Sequence, residues 1–152
     1  VHPDFLPDRY EAGTLNAVGL AGLAAGVDYV VTRGVASIRS HAMALSSQLL
    51  DGLSGIPGVR LYGPRNVWRR TAVVSFNLDD RDCAQVGMVL EERAGISCRV
   101  GLHCAPTAHR QLGTFPSGTV RVSPGPFTTE TDIDTVIDVL REIAGSSEGG
   151  PA

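Results

Sequence analysis

The sequence predicts an α+β fold: a short, mainly antiparallel sheet covered by helices, with long connecting helices leading into it. Three observations carry that reading. Apolar residues recur at steps of three and four over several stretches of twelve residues or more, which is helical periodicity. The strand candidates between them are short, and the elements run in the order ααββαββα rather than in strict βαβ alternation. The chain has 152 residues, 43% hydrophobic and 19% charged, which suits one soluble globular unit. A chain of this length typically buries about 70% of its unfolded surface.

Each element follows from local chemistry. Residues 1 to 13 are rich in Pro, Asp and Gly and read as an extended loop. Thr14 or Asn16 is placed to cap a helix over 16–32, with Gly34 as its stop. Gly19, Gly22 and Gly26 lie near one face of that helix. Glycine weakens a helix, so the expected compensation is close approach of another backbone. A second helix carries Val35, Ile38, Ala42, Leu45, Leu49 and Leu53 at helical spacing and ends at "GIPG". Strands are expected at 59–62 ("VRLY") and 71–78 ("TAVVSFNL"). Asp82 is placed to cap a helix over 83–94 that stops at Gly95. "ISCRV" at 96–100 reads as a third strand, with Cys98 alternating between Ile96 and Val100 towards the core. A loop with a helical turn near 107–112 follows. "TVRVS" at 119–123 puts Val120 and Val122 on one face and Arg121 on the other. Thr129 and Asp132 resemble a capping box for a last helix over 130–144, and "GSSEGGPA" reads as a frayed tail. The resulting division is a leading segment over 1–34, a domain over 35–145 and a disordered tail over 146–152.

Composition narrows the function classes. Net charge is −3 and there is no basic patch, so nucleic acid is excluded as the expected partner. No apolar run reaches a membrane span and no secretory signal is present, so no membrane partner is expected. Three cysteines form a sparse, odd set, which argues against a disulfide framework and for a reducing, cytoplasmic setting. All 13 basic residues are arginine. The chain therefore has no lysine amine for Schiff-base chemistry. It opens on Val1 rather than methionine, and the expectation is a piece of a longer protein.

Candidate chemistry centres on "CRVGLHCAP", residues 98–106. Cys104 follows a glycine break in a loop, beside His103 and near Arg99 and Arg110 in sequence. A thiolate is the reactive form of cysteine, and it needs exposure and nearby positive charge. A buried cysteine serving as a small hydrophobe is the competing reading, and it is preferred for Cys83 and Cys98. Cys98, His103, Cys104 and His109 are possible zinc ligands, but no C-x-x-C pair is present and adjacent residues seldom reach one ion, so no metal is expected. The Arg121 guanidinium is suited to fork onto a carboxylate. In "EAGT", the amides after Gly13 and the Thr14 hydroxyl at a helix start suit a phosphate, although a capping threonine after glycine is common.

Taken together, "RYEAGTLN" at 9–16, "GLHCAP" at 101–106 and "TVRVSPGPFTTETDID" at 119–134 lie in the order and at the spacing of one family. The chain resembles the C-terminal part of class V aminotransferases, in the branch of cysteine desulfurases and selenocysteine lyases. The most specific element is the Arg-x-Gly-x-His-Cys-Ala loop, here Arg99, Gly101, His103, Cys104 and Ala105. Leu102 stands where many members have a second histidine. The resemblance implies the small C-terminal domain of a pyridoxal-phosphate-dependent transferase of fold type I, acting on L-cysteine or a related amino acid, in a homodimer, with a sulfur acceptor protein as a further partner. It implies that Cys104 takes sulfur as a persulfide, that Arg121 binds the substrate carboxylate, that Arg99 and His103 lie beside the substrate, and that Thr14, with Gly13, reaches the cofactor phosphate of the neighbouring subunit. The lysine, ring-stacking histidine and pyridine-pairing aspartate of the family belong to a large domain that would precede Val1. The alternatives are another class V aminotransferase, a selenocysteine lyase, or a catalytically empty interaction module.

Overall fold

The computed structural model describes residues 3–11 and 13–146, and the chain divides into two compact units between Ile38 and Arg39. The first unit holds helix α1 (Ala17–Arg33) and the start of α2 (Val35–Ser54). Asn16, rather than Thr14, caps α1: its side chain accepts from the Gly19 amide at 2.9 Å. Within this unit no backbone approaches a Cβ placed at Gly22 or Gly26, so the close helix contact expected from the glycines is not found there. Among the described residues, no single helix is long and apolar enough to cross a membrane.

The second unit is a two-layer structure. Its strands β1 (Val59–Tyr62), β2 (Val74–Leu78), β3 (Arg99–Gly101) and β4 (Thr119–Val122) form one sheet in the order β1-β2-β4-β3. Every neighbouring pair is antiparallel. The remaining helices are α3 (Cys83–Ala94), the short α4 (Pro106–Leu112) and α5 (Glu130–Gly145). Asp82 caps α3 and left-handed Gly95 ends it, while Thr129 and Asp132 form the expected capping box on α5.

Alternation sorts each strand into an apolar and a polar face. Val74, Phe76 and Leu78 of β2 join Val120 and Val122 of β4 on the buried side. There they pack with Leu45, Leu49 and Leu53 of α2, Val86 and Leu90 of α3, and Ile133, Ile137 and Leu140 of α5 in one continuous core. The layers approach closely: a Cβ on Gly52 of α2 would collide with Ile137 Cδ1 of α5, and one on Gly87 of α3 would lie 2.6 Å from Val100 Cγ1 of β3.

Several boundaries differ from expectation. The helical stripe of α2 becomes buried only from Met43 onward, and Val35 is exposed. Strand β2 starts at Val74, because a 3-10 turn over Val67–Arg69 and the Arg70 contacts to the Pro64 and Val73 carbonyls hold the preceding chain off the sheet. The third strand pairs only from Arg99, so Cys98 sits just before the ladder. Cys98 packs against the core but is only half-buried, and Val100 at the sheet edge is exposed, so burial here is less complete than expected. The physical reason is that β3 is an edge strand, covered on one side only by α3. Beyond Ser146 the expected tail lies outside the described residues.

Candidate active site

The polar face of the sheet is ordered by its register. Arg99 pairs with Arg121, Arg121 with Ser75, and Ser75 with Tyr62, which makes one cross-strand row from edge to edge. The next row contains Gly101 paired with Thr119, and Asn77 paired with Arg60. Two guanidinium-bearing residues thus stand directly opposite each other, an arrangement that costs stability unless something anionic separates or bridges them.

Above this face the chain leaves β3 and turns sharply. Gly101 has φ +93, and the Ala105 amide donates to the Leu102 carbonyl at 2.8 Å, closing a four-residue turn. Its central residues, His103 (φ 50) and Cys104 (φ 60), are both in the left-handed region, as a type I′ turn requires. Such a backbone costs about 1–3 kcal/mol for each non-glycine residue and persists only where the surroundings over-determine it. Pro106 then opens α4 with its fixed φ. The turn presents Cys104 to solvent, whereas Cys98 is half-buried and Cys83 buried.

His103 is fastened to the sheet: its Nε2 lies 3.2 Å from the Thr119 hydroxyl. Burial, then the charge of Arg121, then neighbouring His109, and more weakly Arg99, hold its imidazole below the ordinary histidine value, against an opposing hydrogen bond at Thr119. The ring is therefore predominantly neutral near neutral pH and can exchange a proton. The Cys98 thiol is shifted upward by burial first, then by Glu91 and Cys83, so less of it ionises at neutral pH.

Four buried side-chain nitrogen or oxygen atoms lack a hydrogen-bond partner among the described residues, and three of them, Asn77 Oδ1, His103 Nδ1 and Arg121 Nε, belong to this one face. Buried polar groups are rarely left unpaired. Their concentration marks the face as one that meets a polar partner, and the arginines favour an anion.

The structure thus brings together Arg99, His103 and Arg121, with Cys104 on the same turn as His103. Gly13 (φ +99) and exposed Thr14 belong to the first unit. Sequence reasoning missed Thr119, which has the same alternation as Arg121 two residues on, and Ser75 and Asn77. The last two are polar residues at period two inside an otherwise apolar strand, a signal that pointed to the same face. His109 was weighed only as a metal ligand. Among the described residues, no cluster of three or more His, Cys, Asp or Glu could hold a metal ion.

The fold has close counterparts. The apo structure of the cysteine desulfurase from Thermococcus onnurineus NA1 superposes with a TM-score of 0.83 at 35% identity, over 91% of this chain and 34% of that one. A probable cysteine desulfurase from Methanothermobacter thermautotrophicus is 38% identical over 141 residues, covering 91% of this chain and 34% of its own length. The cysteine desulfurase of Pectobacterium atrosepticum is 36% identical over 137 residues, 90% of this chain and 32% of its own. The α+β unit is therefore the fold of one part of a cysteine desulfurase. The model of the aminotransferase class-V family matches residues 3–136, and the chain belongs to that family. It spans about a third of the length of these relatives.

Pyridoxal phosphate, which the family implies, can be tested against the donors present. With no lysine, this chain offers no side-chain amine to anchor the cofactor. Its arginine-bearing face, with the unpaired Arg121 Nε, suits a carboxylate rather than a pyridine ring. Gly13 and Thr14 fit a phosphate by donor chemistry alone.

Proposed function

We infer that the whole protein is a pyridoxal-phosphate-dependent cysteine desulfurase and that this chain supplies its sulfur-receiving face. The observation that carries the reading is the exposed Cys104 on a left-handed turn, next to His103, whose ring is bonded to Thr119 on the sheet face that bears two facing arginines. Arg121 binds the carboxylate of L-cysteine, and Arg99 and His103 line the approach. When bound, the cofactor supplies an electron sink for cleavage beside the α-carbon. Cys104, as thiolate, attacks the substrate sulfur. The S–S bond forms as the C–S bond breaks, the electron pair stays with carbon, and alanine leaves after protonation. A persulfide remains on Cys104, whose solvent-facing position suits transfer to an acceptor protein. The Thr14 hydroxyl and the amides beside Gly13 contact the cofactor phosphate across a homodimer interface.

In the intact protein, Cys104→Ala is expected to lower alanine release from L-cysteine by at least about 100-fold, the scale on which losing a reacting group acts. A variant that retains turnover, with transaminase activity in the parent, would assign the protein to another branch of the family. Limited alkylation at neutral pH is expected to label Cys104 before Cys98 and Cys83, in the order of their exposure.

A further inference from the structure

We propose that His109 is a positioning residue for the Cys104 turn, acting through His103 and held in place by the Thr114 hydroxyl. His109 lies on α4 with only 5% of its surface exposed, and Thr114 is similarly buried at 7%. The His109 Nδ1 is 2.7 Å from Thr114 Oγ1. Its ring meets that of His103 at a centroid distance of 5.7 Å and a 50° tilt.

These contacts close a circuit around the turn. The Thr114 amide donates to the His109 carbonyl at 2.9 Å, and the Gly118 amide donates to the Thr114 carbonyl at 2.7 Å. The next residue, Thr119, bonds His103, whose ring returns to His109. Gly118 seals the circuit from below, because a Cβ there would fall 2.2 Å from the Gly101 carbonyl group. Asn77 Nδ2 holds the Gly118 carbonyl at 3.0 Å. Cutting the circuit at Thr114 frees the His109 ring, and with it the packing that keeps His103 over Thr119.

The circuit accounts for the strained backbone. Two adjacent non-glycine residues in the left-handed region need external support, and the turn's own bond from Ala105 to Leu102 does not reach either side chain. His109 also fits its place chemically. Arg121 on β4, Arg99 on β3 and His109 itself all act on the His103 imidazole at this corner. The Thr114 hydroxyl donates to the His109 carbonyl at 3.4 Å. The hydrogen-bond network therefore assigns the shorter contact to an Nδ1–H donor with the hydroxyl as acceptor.

The functional consequence rests on Cys104 as sulfur acceptor, but the positioning itself is testable without turnover. In the intact protein with isotope-labelled histidine, the His103 resonance is followed by NMR against pH in the parent, Thr114→Val and Thr114→Ser. Thr114→Val keeps the shape and removes the hydroxyl. It is expected to raise the His103 midpoint toward the ordinary histidine value, as the ring gains solvent, and to lower kcat for alanine release about tenfold with KM unchanged. Thr114→Ser restores the hydroxyl and is expected to restore both. If Thr114→Val does not fold, His109→Phe, which keeps a ring and removes the nitrogen, carries the same expectation. An unchanged His103 midpoint in the valine variant, or a serine variant as impaired as the valine one, would overturn the proposal. If the midpoints move as expected in a protein that shows no desulfurase activity, the positioning stands and the functional reading falls.

Discussion

The two faces of the sheet are built on opposite principles. On one, Val74, Phe76, Leu78, Val120 and Val122 meet three helices in a core with almost no exposed surface. On the other, the same two strands carry Ser75, Asn77, Thr119 and Arg121, with a like-charged pair at Arg99 and Arg121 and three unpaired buried atoms. The apolar face is stabilised by area removed from water and gains nothing from chemistry. The polar face gives up stability to hold unpaired donors and a left-handed cysteine turn in fixed positions. One strand thus faces a rigid core on one side and carries the candidate site on the other, an arrangement that suits holding polar groups in fixed geometry.

Neighbouring residues on β2 break the comparison most sharply. Phe76→Ala is expected to cost about 3–5 kcal/mol, through lost burial and a residual cavity, while Ser75→Ala changes stability by less than about 0.5 kcal/mol. Denaturant titration of the two variants measures both, and equal effects would dissolve the distinction. Gly118→Ala is next. It introduces a side chain at φ +81 and against the Gly101 backbone, and it is expected to cost at least about 2 kcal/mol. Its loss should be accompanied by altered Cys104 alkylation, because the same contact supports the turn. Asp82→Ala removes the cap of α3, which backs the apolar face, and is expected to cost about 1 kcal/mol in thermal or denaturant unfolding, with no effect on Cys104.

The smallest effects lie on the polar face. Arg99→Gln relieves a like-charge pair and is expected to stabilise the fold by a few tenths of a kcal/mol while weakening substrate binding, a trade visible as a raised denaturation midpoint beside a raised KM. His103 adds a pH dependence with a defined sign. Its folded-state pKa is lowered, chiefly by burial. Above the ordinary value of about 6.5 it contributes nothing, since both states are neutral. As pH falls through that value the unfolded chain takes the proton first, and stability drops until the folded value is passed. His103→Gln should flatten this step in a pH series of denaturation midpoints.

The apolar face was legible because its signals are local. The helical stripe of α5, the Asp82 cap and the period-two valines of β4 each declare themselves within a few residues, and the structure places them accordingly. Arg99 and Arg121 were individually visible, yet their pairing depends on β3 and β4 being neighbours, a long-range fact. The left-handed turn was still less accessible: histidine and cysteine do not announce a positive φ as Asn-Gly does. His109 and Thr114 are five residues apart and read as an ordinary helix and its loop. Their link to the turn lies in the His109–Thr114 and His103–His109 contacts, which only the folded chain brings together. Cys98 packs against the core on the side that alternation predicts but is only half-buried, because alternation gives a side and not how fully an edge strand is covered there.

The central claim is that this polar face receives sulfur on Cys104. It is tested most directly by incubating the intact, cofactor-loaded protein with L-cysteine, blocking thiols and persulfides with an alkylating agent, and mapping the peptides by mass. The account predicts one additional sulfur atom on the peptide bearing Cys104 and none on those bearing Cys83 or Cys98. Alanine formation with the extra sulfur on another cysteine, or on none, would contradict it.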